Sequence, residues 1–118
     1  MRSILTVAVL TMTLAGGLAA QDQVYKDGEG VKTPRLVREV KPNYTKAAMD
    51  RQVQGRVELD AVVLKDGTVG DVTVTKSLDD DLDQEAVKAA KQWKFQPGTK
   101  DGEPVSVRVN IELTFKLK

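Results

Sequence analysis

The side chains with the greatest capacity for chemistry are the carboxylates in the run Asp79-Asp80-Asp81-Leu82-Asp83. Clustered carboxylates are the ligands that hard cations such as Ca²⁺ prefer, which raises the hypothesis of a metal site. The spacing of a calcium-binding EF-hand loop, with its central Gly and distant Glu, is absent. Carboxylates at the start of an apolar helical stripe also cap the first N–H groups and meet the positive end of the helix dipole. We interpret the run as a helix cap, and we expect neither a metal ion nor a cofactor.

Catalytic side chains are scarce in the rest of the chain. The 118 residues include no His and no Cys, so the commonest general base, the thiol nucleophile and the soft metal ligands are missing. Ser77 and Ser106 are the only serines beyond residue 20, and neither lies in a Gly-x-Ser-x-Gly elbow. The remaining acids are scattered over predicted strand faces and helix starts. We therefore expect a protein that is not an enzyme, with no catalytic residues.

The net charge and the first twenty residues indicate which partners and which cellular compartment to expect. The formal net charge is +1 and no block of Lys or Arg is present, so nucleic acid is not an expected partner. Arg2, the apolar run from Ile4 to Leu14 and the small residues up to Ala20 are typical of a secretory signal peptide. The alternative is an inner-membrane anchor through residues 4–20, whose length is at the lower limit for a membrane span. We expect an exported, periplasmic protein.

The periodicity of residues 21–118 predicts one small domain behind a lead-in. Residues 21–35 are polar and lack periodicity, so they are predicted to be flexible, and residues 36–118 form the domain. Trp93 ends an apolar helical stripe and is predicted to lie in the core rather than to serve as a ligand platform. The predicted elements are, in order, a helix over Tyr44–Gln52, strands over Arg56–Leu64 and Thr68–Ser77, a helix over Leu82–Trp93 and a strand over Val105–Leu117.

These elements predict an α+β fold with a small three-stranded antiparallel sheet. Lys65-Asp66-Gly67 is predicted to join the first two strands as a hairpin turn, and Gly70 suggests a bulge after it. A right-handed crossover through the second helix brings the third strand beside the first, which gives the strand order 2-1-3 with both helices on one face.

The last strand alternates apolar and polar residues from Val105 to Leu117 almost without fault. One face is therefore expected on the core and the other in water. In the order 2-1-3 this strand lies at an edge of the sheet, where its unpaired backbone groups can receive another chain. The function is expected to reside on this edge.

The chain resembles the TonB C-terminal domain family over residues 36–117. The resemblance is carried by Pro42-x-Tyr44, Gly55-x-Val57, Asp66-Gly67, Val72-x-Val74, Ser77, Leu82-Asp83, Ala86, Trp93-Lys94-Phe95-Gln96-Pro97-Gly98, Gly102 and the closing Val-x-Val-x-Ile-x-Leu-x-Phe strand. Thr45 stands where the family usually has Pro, so the start of the first helix lacks proline's restraint. The chain also lacks the His of the family's membrane helix and its Pro-rich spacer.

The resemblance implies a periplasmic module that takes part in energy-dependent transport across the outer membrane. TonB proteins grip a peptide segment of an outer-membrane transporter by adding it as a strand beside the last strand. The partner is thus expected to be a protein, either such a transporter or another envelope protein, and not a small molecule. The alternative is an autonomous envelope adaptor or structural module that self-associates, for example as a homodimer through the last strand, without transducing energy. The partner-binding residues are expected to be Pro42, Asn43, Tyr44, Val105, Ser106, Val107, Arg108, Val109, Asn110, Ile111, Glu112 and Leu113.

Overall fold

A computed structural model describes residues 23–117, so the predicted signal peptide or anchor over residues 1–20 lies outside the described residues. Neither helix within residues 23–117 has the length and hydrophobicity of a membrane span. The elements are β1 Val24–Lys26, β2 Arg35–Arg38, α1 Lys46–Asp50, β3 Gly55–Val63, β4 Val69–Lys76, α2 Asp80–Ala90, β5 Lys94–Gln96, β6 Gly98–Lys100 and β7 Glu103–Phe115.

The centre of the fold is β3, which pairs antiparallel with β4 on one side and with β7 on the other. The ladder between β3 and β7 is the longest, with nine residue pairs from Gly55 opposite Phe115 to Val63 opposite Val107. The order β4-β3-β7 is the predicted order 2-1-3, so the α+β class and the core of the sheet are confirmed. A register shift between Ala61 and Val63, opposite the start of β4, accords with the bulge predicted at Gly70.

The sheet is larger than the three strands predicted. β1 lies parallel to β7 on the side away from β3, β6 pairs antiparallel with the start of β7, and β2 and β5 form a separate two-stranded sheet. The lead-in therefore contains a paired strand, and the last strand is not free along its whole outer edge. Both corrections have one cause: a three-residue strand is too short to show an alternating pattern, so its pairing depends on tertiary contacts.

Both helices pack on the apolar face of the sheet. Ala48 of α1 and Leu82 of α2 are fully buried in the cluster that also holds Val57 and Leu59 of β3. The stripe predicted for the second helix is buried as well, and it comprises Leu82, Ala86, Ala89 and Ala90. Trp93 is 7% exposed and its Nε1 donates a hydrogen bond to the Val40 carbonyl oxygen at 2.8 Å. The prediction that Trp93 belongs to the core is confirmed.

The aspartate run is a helix cap. The Asp79 carboxylate accepts a hydrogen bond from the Leu82 N–H at 3.2 Å, and Asp83 accepts one from the Leu78 N–H at 3.0 Å. Arg51 adds an ion pair to Asp79 at 2.7 Å and so ties the end of α1 to the start of α2. These contacts confirm the capping interpretation. Among residues 23–117, no group of three or more His, Cys, Asp or Glu side chains is placed to hold a metal ion.

The first helix also has a defined start. The Thr45 hydroxyl oxygen accepts a hydrogen bond from the Ala48 N–H at 3.2 Å, which makes Thr45 the N-cap of α1. A Thr at this position satisfies one of the free N–H groups at the helix start. The hydroxyl therefore compensates for the absence of Pro after Tyr44.

The pairing of Asp79 makes part of the folded state's stability depend on pH. The hydrogen bond from Arg51, and then the one from the Leu82 N–H, lower the pKa of Asp79 below its ordinary value. A carboxyl whose pKa is lower in the folded than in the unfolded state stabilises the fold above its unfolded pKa, and this contribution is lost as the pH falls through the folded pKa. Asp79→Asn keeps a capping side chain but removes the charge, so it should destabilise the domain at about pH 7.

The loss of stability caused by Asp79→Asn should be smaller at about pH 2–3, below the ordinary pKa of an Asp, because the unfolded parent is then largely protonated and the stabilisation from the lowered pKa is being lost. Urea midpoints of the parent and the variant at both pH values measure this. An equal deficit at both values would show that the charge of Asp79 does not stabilise the domain.

Two Asp-Gly turns use positive φ angles, and the first of them is the predicted hairpin between β3 and β4. Gly67, between β3 and β4, has a φ of +85°, and its carbonyl accepts the Phe95 N–H at 2.8 Å. A Cβ at Gly67 would overlap with the Phe95 carbonyl oxygen. Asp101 and Gly102, between β6 and β7, have φ angles of 52° and 82°, as a two-residue type I′ hairpin requires. Around Gly102 nothing would meet an added Cβ.

Candidate functional site

The outer edge of β7, opposite β3, is where the sequence placed the function. Asn110 donates a side-chain hydrogen bond to the Leu59 carbonyl, and Thr75 of β4 donates one to the Glu58 carbonyl. Leu59 thus directs its carbonyl towards β7, and Glu58 directs its carbonyl towards β4. In an antiparallel ladder these directions alternate along each strand. The even-numbered residues of β3 therefore direct their backbone groups away from β7, and the β7 residues opposite them direct theirs away from β3, to the outer edge. These β7 residues include Asn110, Glu112 and Thr114.

This outer edge is occupied only in part. β1 covers Ser106, Val107 and Arg108, where its three residues pair in parallel. Along Val109–Phe115, no strand of the described chain pairs on the outer edge. We call this stretch the open edge. It offers unpaired backbone donors and acceptors in the row that strand addition requires.

A cleft of about 420 Å³ lies at the far end of the open edge. Five consecutive residues of the chain, 112–116, contribute to its lining. Since neighbouring side chains in a strand point to opposite faces, a cleft that touches all five runs along a strand edge, and β3 occupies the other edge. The opposite wall is formed by Glu39, Lys41, Pro42 and Tyr44. We call this space the edge cleft.

The wall of the edge cleft is attached to the core. The Tyr44 hydroxyl donates to the Val53 carbonyl, and its ring packs edge-on against the buried Phe115, with ring centroids 5.4 Å apart. Trp93 holds the Val40 carbonyl through its indole N–H. Two aromatic side chains thus fix the segment before α1 at both of its ends. A fixed wall reduces the ordering that a ligand has to impose when it binds.

Charges of both signs surround the open edge and its cleft. Glu112 forms an ion pair with Arg56 at 3.0 Å, while Glu58, directly opposite Glu112, is approached by Lys76 at 4.0 Å. The carboxylates that face each other across the strands each have a cation nearby, which offsets their repulsion. Glu39, Lys41 and Lys116 add mixed charge to the cleft walls. This arrangement suits the backbone and mixed side chains of a peptide better than a ligand of one charge sign.

The structure brings several of the predicted binding residues together. Pro42 and Tyr44 line the edge cleft with Glu112 and Leu113, whereas Asn43 is not part of its lining. The stretch from Val105 to Arg108 pairs with β6 and β1, and the stretch from Val109 to Ile111 lies on the open edge. Their role in binding stays a prediction.

The edge cleft also contains residues that the sequence reasoning missed. They are Glu39, Lys41, Thr114, Phe115 and Lys116. The alternation that continues to Leu117 was a usable signal for the last three of them, because it showed that the strand runs beyond Leu113. Glu39 and Lys41 stand in an irregular segment without a periodic signal.

Comparison with known proteins gives a consistent result. A family model described as Gram-negative bacterial TonB protein C-terminal matches residues 40–117. The chain is 37% identical over 90 residues to Protein TonB of Vibrio cholerae, covering 75% of this chain and 37% of the relative. It is 40% identical over 77 residues to Protein TonB of Xanthomonas campestris, covering 64% of this chain and 34% of the relative. The chain thus spans about a third of the length of these relatives.

A solved structure agrees with the fold. The solution NMR structure of the Pseudomonas aeruginosa TonB CTD superimposes with a TM-score of 0.60 at 26% sequence identity. The match covers 78% of this chain and 91% of that chain.

Proposed function

The chain belongs to the TonB C-terminal domain family, and from this premise we propose that it binds an extended partner peptide by strand addition to the outer edge of β7. Membership in this family is consistent with an interaction of the TonB transport type, and it confirms the prediction that the chain is not an enzyme. The proposal concerns the mode of binding and the identity of the partner.

The observation that carries the proposal is the open edge beside the edge cleft. Asn110, Glu112 and Thr114 direct backbone groups outwards along a stretch where the described chain supplies no strand. Backbone pairing along such an edge gives affinity with little demand on sequence, and pockets for side chains give specificity. The edge cleft, with Pro42 and Tyr44 on its wall, is the pocket that a side chain of the added strand would enter.

The partner we propose is a peptide segment of an outer-membrane transporter or of another envelope protein. This rests on the family and on the mixed charge of the site, and it requires export of the chain to the periplasm, either released from its leader or anchored by residues 4–20. A second copy of the chain is the competing occupant, because two open edges can pair with each other. The two occupants differ in the oligomeric state of the peptide-free protein.

Asn110→Pro tests the mode of binding. Proline removes the Asn110 N–H, which faces the outer edge, and leaves the ladder to β3 intact, as proline does on edge strands. The variant should stay folded and bind a synthetic ten-residue peptide from a transporter's N-terminal segment about tenfold more weakly, or not at all. Titration calorimetry measures the affinity, and circular dichroism checks the fold.

Asn110→Ala is the matched control. Both substitutions remove the side-chain hydrogen bond to the Leu59 carbonyl, but only the proline removes the backbone donor. The alanine variant should therefore bind the peptide nearly as well as the parent. If a folded Asn110→Pro protein binds as tightly as Asn110→Ala, binding does not run through this edge.

A further inference from the structure

The strand β1 occupies the outer edge of β7 next to the open edge. We propose that β1 is an intramolecular ligand of this edge, which competes with the partner peptide for Ser106–Arg108. The competition rests on the proposed function, whereas the occupation of the edge by β1 does not. The inference adds a regulation of the same site: the length of edge available to a partner depends on whether β1 is docked.

The register shows how β1 mimics an added strand. Val24 lies opposite Ser106 and Lys26 lies opposite Arg108, in parallel orientation. Ser106 and Arg108 belong to the even-numbered series of β7 whose backbone groups turn outwards. In a parallel ladder, the residue of the neighbouring strand that lies between two such positions makes backbone hydrogen bonds to both of them. The register thus predicts that Tyr25 bonds through its backbone to Ser106 and Arg108, while the Val24 N–H points to solvent.

The compact loop that follows β1 holds it beside β7. Asp27 accepts a hydrogen bond from the Thr33 hydroxyl at 2.7 Å, and Glu29 accepts one from the Lys26 N–H at 2.6 Å. The Lys32 N–H then donates to the Thr99 carbonyl of β6 at 2.8 Å. The loop is therefore closed by its own side chains and attached to the hairpin that precedes β7. This attachment keeps β1 at a high effective concentration near the edge.

The hold on β1 is nevertheless slight. None of its three residues is buried, and Val24 is 39% exposed. The Tyr25 ring is half-buried, with the Lys100 ammonium 4.6 Å from its centroid. β1 has three residue pairs with β7, against nine between β3 and β7. Ser106, the buried polar side chain of β7, lies opposite Val24 in the register, and no residue of β1 belongs to the core cluster.

The strand β1 lies outside the part of the chain that the family model matches. The family model begins at residue 40, whereas β1 ends at Lys26. An intramolecular occupant lowers the apparent affinity for a competing ligand by the fraction of molecules in which the site is free. Undocking β1 should therefore raise the affinity for a peptide that needs the whole edge.

Tyr25→Pro is the variant that undocks β1, because it removes the backbone donor predicted to pair with β7. Val24→Pro is the matched control: it places proline at the first residue of the strand, where the N–H faces solvent. In the purified chain without any peptide, the Arg108 amide should exchange slowly with solvent in the parent and in Val24→Pro, and fast in Tyr25→Pro. The ten-residue transporter peptide should bind Tyr25→Pro about three- to tenfold more tightly than either of the others.

A synthetic peptide of residues 23–28, added in trans, separates this inference from the proposed function. It should shift the Ser106 and Arg108 amide resonances in Tyr25→Pro and leave those of the parent unchanged. If the transporter peptide binds none of the three proteins, the proposed function fails. The peptide of residues 23–28 alone then decides whether β1 is a ligand of the edge. Equal exchange of the Arg108 amide in all three proteins, or equal affinity of the transporter peptide for all three, overturns the inference.

Discussion

Replacing Trp93 with alanine should lower the free energy of unfolding by about 3–5 kcal/mol, the usual cost of removing a large buried aromatic side chain. The ring is 7% exposed and lies beside Phe95, with centroids 6.3 Å apart. The truncation leaves a cavity under α2 and removes the donor to the Val40 carbonyl. For a domain of this size the loss is a large part of the total stability. Urea denaturation followed by circular dichroism measures it, since the chain's one Trp is lost as a fluorophore.

Trp93→Phe separates packing from hydrogen bonding. Phenylalanine keeps much of the buried ring but leaves the Val40 carbonyl without its donor, so the variant should lose only about 1–2 kcal/mol. Val37→Ala is the surface control, because Val37 is 68% exposed and its truncation should stay within about 0.5 kcal/mol of the parent. A denaturation midpoint of Trp93→Ala equal to that of Val37→Ala would show that the ring is not part of the core in solution.

Gly67→Ala should cost about 2–5 kcal/mol, more than a glycine substitution in a turn usually does. About 1–2 kcal/mol comes from the positive φ, which a residue with a Cβ adopts only at a cost. The rest comes from the overlap between the new Cβ and the Phe95 carbonyl oxygen, which would displace β5 and break the hydrogen bond from the Phe95 N–H to the Gly67 carbonyl. Thermal and urea unfolding both measure the loss.

Gly102→Ala is the matched control for this prediction. Its φ of +82° is nearly that of Gly67 at +85°, but nothing lies within 4 Å of its added Cβ. The difference between the two variants therefore isolates the steric contact with Phe95. Equal destabilisation by the two substitutions would show that β5 moves aside without cost, and that Phe95 does not restrain the β3–β4 turn.

The larger elements of the fold could be predicted because each has a pattern long enough to read. β3 is nine residues long and β7 thirteen, and both alternate over most of their length, while α2 carries an apolar stripe over its eleven residues. Asp66-Gly67 and the aspartates before Leu82 mark turn and helix start through chemistry that is local to them. The short strands carry no such signal. β1 is a three-residue segment of exposed and half-buried side chains, and its strand conformation depends on pairing with β7.

The site could be predicted in part for the same reason. From Val107 to Phe115 the alternation of β7 assigns the inward and outward side chains correctly, so the inward residues up to Leu113 could be predicted from the sequence. Ser106 is the exception, because it belongs to the polar face and is nevertheless buried. Pro42 and Tyr44 came from the resemblance to a family, and the structure brings both to the edge cleft. Glu39 and Lys41 reach the cleft because two long-range contacts, from Trp93 to Val40 and from Tyr44 to Phe115, set the path of the segment. Contacts between residues so far apart in sequence leave no periodic trace.

The long ladder between β3 and β7 has a mechanical consequence. A peptide pulled along the outer edge of β7 would load the strand lengthwise, so that all the hydrogen bonds of the nine-pair ladder to β3 are sheared together. A pull at right angles to the strands would instead open the same bonds one after another, at a much lower force. β1, with three pairs at one end of the edge, would yield long before the ladder behind it. The geometry makes the domain stiff along the one direction in which an added strand can transmit tension.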